Sequence, residues 1–253
     1  MRLTAPKRKQ PGSSSPRTLK TAGFPPQPDQ FVGRTAVMAQ ASAALAPESR
    51  LPGVLLHGMP GAGKTACAIE LAYTHEHAFE QLVWFKAPDE GRDTSATLTE
   101  FALTLERGLH DFRMVHLLDD VTRLAAFLPQ LTEVCERLRV LVVIDNIESL
   151  VGDSGQWRDA RWGQLIAAMC GHTGLGRVVL TSRRLPAAVT GGVLRLALHA
   201  LSLDEALLLA WELPNLAKLV RWQHAGDPAD SGPQAGEGCP GYRAGTSETP
   251  GTG

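Results

Sequence analysis

Gly58-Met59-Pro60-Gly61-Ala62-Gly63-Lys64-Thr65 decides the fold of this chain. It meets every fixed position of the pattern G-x-x-x-x-G-K-[ST], in which backbone N–H groups of a glycine-rich loop cradle phosphate oxygens. The apolar run Val54-Leu55-Leu56 ahead of it reads as a strand, and Ala66-Cys67-Ala68-Ile69-Glu70-Leu71-Ala72 behind it as a helix. Strand, loop and helix in that order are the context the pattern requires, which weighs against a plain glycine-rich turn. A helix beginning near Gly63 would direct its positive dipole end at the same anion. The expected nucleotide contacts are Gly58, Pro60, Gly61, Ala62, Gly63, Lys64, Thr65 and Ala66. Lys64 would reach the outer phosphates, and the Thr65 hydroxyl would help hold Mg²⁺.

Outward from this loop, strand and helix patterns alternate, which implies a parallel sheet with helices on both faces. The expected strands are 54–57, 82–86, 140–145, 178–181 and 193–198; the expected helices are 35–45, 64–75, 95–107, 121–138, 162–170 and 203–213. Pro129 should kink the 121–138 helix or split it in two. Ser202 and Glu205 form a capping box opening the last helix. The fold class expected is α/β, a P-loop NTPase with three αβα layers around a central parallel sheet of about five strands.

Bulk properties agree with one such domain plus flanking segments. The chain has 253 residues, 43% hydrophobic and 20% charged, with a formal net charge of −1. That balance offers no electrostatic case for nucleic-acid binding. Apolar runs such as 140–144 are far short of the roughly 18 residues of a membrane helix, so no membrane partner is expected. The four cysteines form no C-x-x-C pair, and Cys67, Cys135 and Cys170 fall in core elements, which suits a reduced, cytoplasmic setting. Residues 1–29, Pro- and Ser-rich with the basic cluster Lys7-Arg8-Lys9, read as a disordered linker, 30–220 as the folded domain, and 221–253 as a disordered Gly/Pro-rich tail or frame-shifted coding. Packed chain is expected to begin near Phe31.

A second element of chemistry lies about 80 residues after Thr65. Val140-Leu141-Val142-Val143-Ile144-Asp145 is apolar on both faces, as a central parallel strand must be, and ends in a carboxylate. Ligands bind beyond the carboxyl ends of such strands, which places Asp145 beside the loop as a Mg²⁺-holding Walker B aspartate. Hydrolysis also needs a group to deprotonate the attacking water. The next position is Asn146, which orients water but accepts no proton. Glu148 is then the candidate base, or else a surface or cap carboxylate. Slow turnover is the expectation. After the strand at 178–181, Arg183 is favoured over Arg184 as the group that senses the γ-phosphate. Lys64, Asp145, Glu148 and Arg183 form the candidate catalytic set, with Thr65 and Asp145 for the metal.

Thr74-His75-Glu76-His77 has histidines at i, i+2, which do not share a helix face and so read as a solvated terminus rather than a metal site. Trp157 and Trp162, with Arg158 and Arg161 between them, offer either a partner surface or packing against the sheet, the second being preferred.

With these elements assembled, the chain resembles the STAND class of signal-transduction ATPases, near the AAA+-related NB-ARC and AP-ATPase group. The resemblance rests on Phe31-Val32-Gly33-Arg34, Gly58–Thr65, Leu141–Glu148 and Leu180-Thr181-Ser182-Arg183, and covers roughly residues 31 to 219. It is nearest to the ATPase modules of actinobacterial multidomain proteins with CHAT or TPR regions. What it implies is an ATP/ADP switch, with Val32 and Arg34 contacting nucleotide and Arg183 sensing the γ-phosphate. Adenine rather than guanine is also supported by the lack of an Asn-Lys-x-Asp signature. Family members continue into a helical lid and winged helix, and this chain departs after Leu213-Pro214-Asn215-Leu216. The expectation is a fragment whose protein partners or effector domain are missing from this chain. A nucleotide-binding scaffold without turnover and an inactive remnant are the alternatives.

Overall fold

The computed structural model describes residues 23–89, 93–187, 189 and 192–213. Lys7-Arg8-Lys9, the tail 221–253 and Cys239 lie outside the described residues. The chain divides into compact units Met1–Leu209 and Ala210–Gly253. The first holds the whole sheet, and of the second only 210–213 are described.

In chain order the elements are α1 (Thr35–Leu45), β1 (Gly53–Gly58), α2 (Lys64–Thr74), β2 (Gln81–Lys86), α3 (Thr94–Gly108), α4 (Val121–Arg137), β3 (Val140–Asp145), α5 (Ala160–Cys170), β4 (Arg177–Ser182), β5 (Leu194–Leu198) and α6 (Leu203–Glu212). Short 3-10 turns occupy Glu76–Ala78, Val115–Leu117 and Ile147–Leu150. The five strands form one sheet in the order β2-β3-β4-β1-β5, parallel throughout. Every expected strand is present within a residue or two at each end. This is a three-layer α/β fold with a central parallel sheet.

The sequence alternation sorts side chains between two cores. Val54, Leu56, Leu141, Val143 and Val179 meet α1 and α2 on one face. Leu55, Val142, Ile144, Val178 and Leu180 meet α3, α4 and α5 on the other. Strands β3 and β4 are buried at every position, while the edge strand β5 alternates. Continuous apolar runs are therefore central and the alternating run lies at the edge, as two-sided and one-sided burial require.

On the second face, Asp93, Asp120 and Asp159 cap α3, α4 and α5 by accepting first-turn backbone N–H groups. Arg161 extends one of these caps. It pairs with Asp159 at 2.6 Å and donates to Leu118 O at 2.7 Å, tying α5 to the segment ahead of α4. Trp162 is fully buried, its ring 5.1 Å from Phe101 and 5.9 Å from Phe85. Trp157 packs partly buried against the same core. Both tryptophans thus serve the core. Cys67, Cys135 and Cys170 are buried free thiols, and burial pushes the last two up to about 12.

Helix α4 runs unsplit through Pro129, so of the two expected outcomes the split does not occur. Burial of Leu124, Leu131 and Cys135 on either side outweighs the one hydrogen bond that proline forfeits, and Thr132 Oγ1 donates to Ala168 O of α5 at 3.0 Å. Residues ahead of Phe31 also pack on the fold. Phe24 lies edge-on to Trp84 at 5.1 Å and to Tyr73 at 5.9 Å, and Tyr73 Oη donates to Pro25 O at 2.8 Å. A single aromatic in a proline-rich segment leaves no periodicity to read.

Arg177 is a long cation sealed inside, 1% exposed. Its guanidinium meets no carboxylate. Instead it donates to Gly174 O, to Gly176 O at 2.7 Å, to Ala46 O at 3.0 Å and to Ser49 O at 2.8 Å. It thereby satisfies carbonyls of the loop before β1 and the loop before β4. Arg177→Leu should strip the Gly174, Gly176 and Ser49 carbonyls of these donors, and denaturant unfolding should show a loss of about 3 kcal/mol.

Candidate nucleotide-binding site

Strand β1 delivers the chain to the loop through Gly58, whose φ is 152°. A Cβ there would lie 2.0 Å from Leu198 O, so only glycine lets β1 leave the sheet against β5. At the far end Gly63, at φ 85° and ψ 18°, turns the chain into α2. No side chain caps α2, in contrast to the aspartates that cap α3, α4 and α5. Its first-turn N–H groups have no intrahelical acceptor. The space over the loop is open, since a Cβ built on Gly61 or Gly63 would meet nothing within 4 Å. Uncapped donors beneath open space make an anion cradle.

Lys64 opens this helix and is 9% exposed. Its ammonium folds over the loop, donating to Gly58 O at 2.8 Å and Met59 O at 2.9 Å. Burial pulls its pKa below the ordinary lysine value; nearby Glu148 opposes that, Arg183 adds to it, and Asp145 opposes it. The four residues of the expected catalytic set therefore share one electrostatic neighbourhood.

Asp145 ends β3 at 3% exposure. A buried carboxylate needs donors, and two hydroxyls supply them at one oxygen. Thr65 Oγ1 donates to Asp145 Oδ1 at 2.9 Å, and Thr181 Oγ1 at 2.5 Å. Strand parity explains the meeting. Asp145 falls on the face of Leu141 and Val143, Thr181 on that of Val179, and both faces carry α2. Thr181 also accepts from the Asn146 N–H at 2.9 Å. The hydroxyl oxygen of Thr65 and the carboxylate oxygen of Asp145 are spaced like adjacent ligands of a Mg²⁺ octahedron, roughly 3.0 Å apart for bonds of about 2.1 Å. Among the described residues no group of three or more His, Cys, Asp or Glu could hold a metal ion. One carboxylate and one hydroxyl fit a Mg²⁺ that takes its remaining ligands from phosphate and water.

Beyond Asp145 the chain turns on Asn146, at φ 71°. Asparagine tolerates this left-handed conformation. Its side-chain amide donates to Ala87 O and Pro88 O, both at 3.3 Å. Asn146 thus holds the exit of β2 and turns Glu148 back toward the site. Glu148 is nearly buried, its side chain 10% exposed, and Arg183 Nε pairs with its Oε1 at 2.9 Å. Glu148 Oε2 is buried without a hydrogen-bond partner. A cavity of about 290 Å³ adjoins this pair, lined also by Arg158, Arg184 and Asp153. Arg184 is exposed and stands apart from the ion pair.

Ahead of the loop, Val32 is half-buried. Arg34 Nη2 donates to Ala62 O at 2.8 Å, which puts the Val32–Arg34 segment against the phosphate loop. The sequence reading gave no role to Thr181, although it sits inside a quoted motif. Its contact depends on β3 and β4 being neighbours, with Ile144 opposite Leu180, and nothing in local spacing shows that pairing.

No family profile matches the chain, and no curated protein matches it. Solved structures do resemble it. One is a Signal Transduction ATPase with Numerous Domains protein with a tetratricopeptide repeat sensor from Pyrococcus horikoshii, at 17% identity over 83% of this chain and 30% of that one, TM-score 0.48. Another is PCH-2 of C. elegans, at 15% identity over 74% of this chain and 48% of that one, TM-score 0.41. A third is Cdc6p of Pyrobaculum aerophilum, at 19% identity over 81% and 52%, TM-score 0.46. The chain spans between 30% and 52% of the length of these three. Sheet, loop and helix together are those of a P-loop NTPase fold.

Asn146→Asp tests the structural role of the residue after Asp145. It would set a carboxylate against the Ala87 and Pro88 carbonyls, and thermal or chemical unfolding should register a loss of about 2 kcal/mol.

Proposed function

We propose that this chain is the ATP-binding core of a STAND-type signalling NTPase, a nucleotide switch with slow Mg²⁺-dependent hydrolysis. The observation that carries the reading is the convergence of Thr65 and Thr181 on Asp145 Oδ1 beside an uncapped α2. The backbone N–H groups of Gly61, Gly63 and Lys64 grip phosphate oxygens. Thr65 and Asp145 hold Mg²⁺, which when bound supplies positive charge to those oxygens. Lys64 exchanges its two carbonyl acceptors for the outer phosphates, a gain because phosphate oxygens carry the opposite charge that neutral carbonyls lack.

Glu148 Oε2 accepts the proton of the attacking water, and Arg183 reads the γ-phosphate. Each is engaged with the other through Glu148 Oε1. Arg183 must be drawn toward the phosphate before both roles are filled, which is a physical reason for slow turnover. Asn146, its amide committed to Ala87 and Pro88, takes no part in proton transfer. Preference for adenine, the nucleotide roles of Val32 and Arg34 and protein partners of the switch follow from the family resemblance, a cytoplasmic setting follows from the cysteine pattern, and all belong to the same proposal.

A second reading, a nucleotide-binding scaffold without turnover, is favoured by one observation: Glu148 is already ion-paired with Arg183. Calorimetric titration with Mg-ATP should give saturable binding that Lys64→Ala abolishes. Unchanged binding in that variant would refute the nucleotide site. Single-turnover phosphate release then separates switch from scaffold. Release above background, reduced roughly 100-fold in Glu148→Gln while binding persists, is the outcome for the switch. Stoichiometric binding with no release identifies the scaffold.

A further inference from the structure

Gly33 and Arg34 are consecutive residues with positive φ, 76° and 61°. An arginine keeps that conformation only where its surroundings impose it. Two contacts do so. The Arg34 backbone N–H donates to Glu205 Oε1 at 2.7 Å, and its guanidinium Nη2 donates to Ala62 O at 2.8 Å. Gly33 answers to the same approach, because a Cβ there would lie 2.6 Å from Glu205 Oε1.

Glu205 is engaged a second time. Its Oε2 accepts from the Ser202 N–H at 3.0 Å, and its own N–H donates to Ser202 Oγ at 3.2 Å. That reciprocal pair is the expected capping box, in which the glutamate satisfies one backbone donor at the helix start. Here the other carboxylate oxygen takes a donor from the opposite end of the domain sequence. Hydrogen bonds from Arg34 and then Ser202 hold the Glu205 carboxyl below the usual range.

The loop end of this chain of contacts has a directional consequence. Ala62 C=O and Gly63 N–H belong to one planar trans peptide, so they point opposite ways. When Arg34 holds the carbonyl, it aims the Gly63 N–H. That N–H is one of the donors assigned to phosphate.

We infer that Glu205 is a positioning residue which, through Arg34, sets the Ala62–Gly63 peptide of the phosphate loop and couples nucleotide occupancy to the first turn of α6. The inference rests on the proposed nucleotide site. Coupling is reciprocal: phosphate that fixes the Gly63 N–H favours the tethered arrangement, and the tether favours phosphate.

Glu205→Gln is the informative variant in the full chain. Glutamine keeps one oxygen, enough for the capping box, but its amide nitrogen cannot accept the second N–H. Its melting temperature without nucleotide should stay within a few degrees of wild type, while the calorimetric Kd for Mg-ATP rises roughly tenfold. Ser202→Ala removes the cap hydroxyl and spares the tether, so it should lower the melting temperature and leave that Kd unchanged. On an Arg34→Ala background, Glu205→Gln should add little further loss, the sign of one residue acting through another. Hydrogen exchange adds a readout that helix capping alone would not move. Mg-ATP should slow exchange in the loop and the first turn of α6 in wild type, but only in the loop in Glu205→Gln. A Kd for Glu205→Gln equal to wild type, losses that multiply across the double variant, or equal protection of α6 in both proteins would overturn the coupling alone. A wild-type chain that binds no Mg-ATP would overturn the nucleotide reading and the coupling with it.

Discussion

A carboxylate at the end of a fully buried parallel strand has to find donors, and Asp145 finds two at a single oxygen. The rest of the site depends on how that demand is met. Strand β4 lies between β1 and β3, so the strand that feeds the loop and the strand that ends in Asp145 are about 10 Å apart. Two adjacent strands would leave no room for a third residue at their ends. Here Thr181 fills the gap from β4, while Thr65 reaches across from α2. Hydrogen bonds to an ionised acceptor are worth about 1.5–3 kcal/mol each. The loop, helix α2 and two strands are therefore locked to one atom, in the place where the metal of a phosphate site would be held.

Around that anchor Lys64 and Arg183 both have partners within the fold. Lys64 sits on two loop carbonyls and Arg183 on Glu148. Such contacts fix the Lys64 ammonium over the loop and the Arg183 guanidinium against Glu148. The helices repeat the contrast. Those on the second face begin with aspartate caps, whereas α2 begins with glycine and bare N–H groups. An aspartate in that position would have satisfied the donors and repelled any phosphate.

Segments outside the sheet pack against the loop, against α2 and against β2. Phe24 and Pro25 lie against Trp84 and Tyr73, Arg34 reaches Ala62, and Glu205 holds Arg34. Two consecutive left-handed residues are a strained way to begin α1, and the contact with Glu205 is what makes the strain tolerable.

Local order was legible from the residues alone. The phosphate loop, the strand ending in Asp145, all five strands, the helices and the capping box of α6 could be read because each is written in spacings of two to four residues. The same is true of Lys64, Thr65, Asp145, Glu148 and Arg183, which the fold brings together. The unsplit passage of α4 through Pro129, the fully enclosed Arg177 and the packing of Phe24 were not legible. Each depends on burial by elements distant in sequence. Thr181 needed the β3–β4 pairing, and the second bond of Glu205 needed the approach of Arg34, 171 residues earlier. Short-range periodicity follows from backbone geometry, which every residue carries with it. Strand order, and which lone pair meets which donor, follow from how the completed elements pack, and no local window of the sequence contains that.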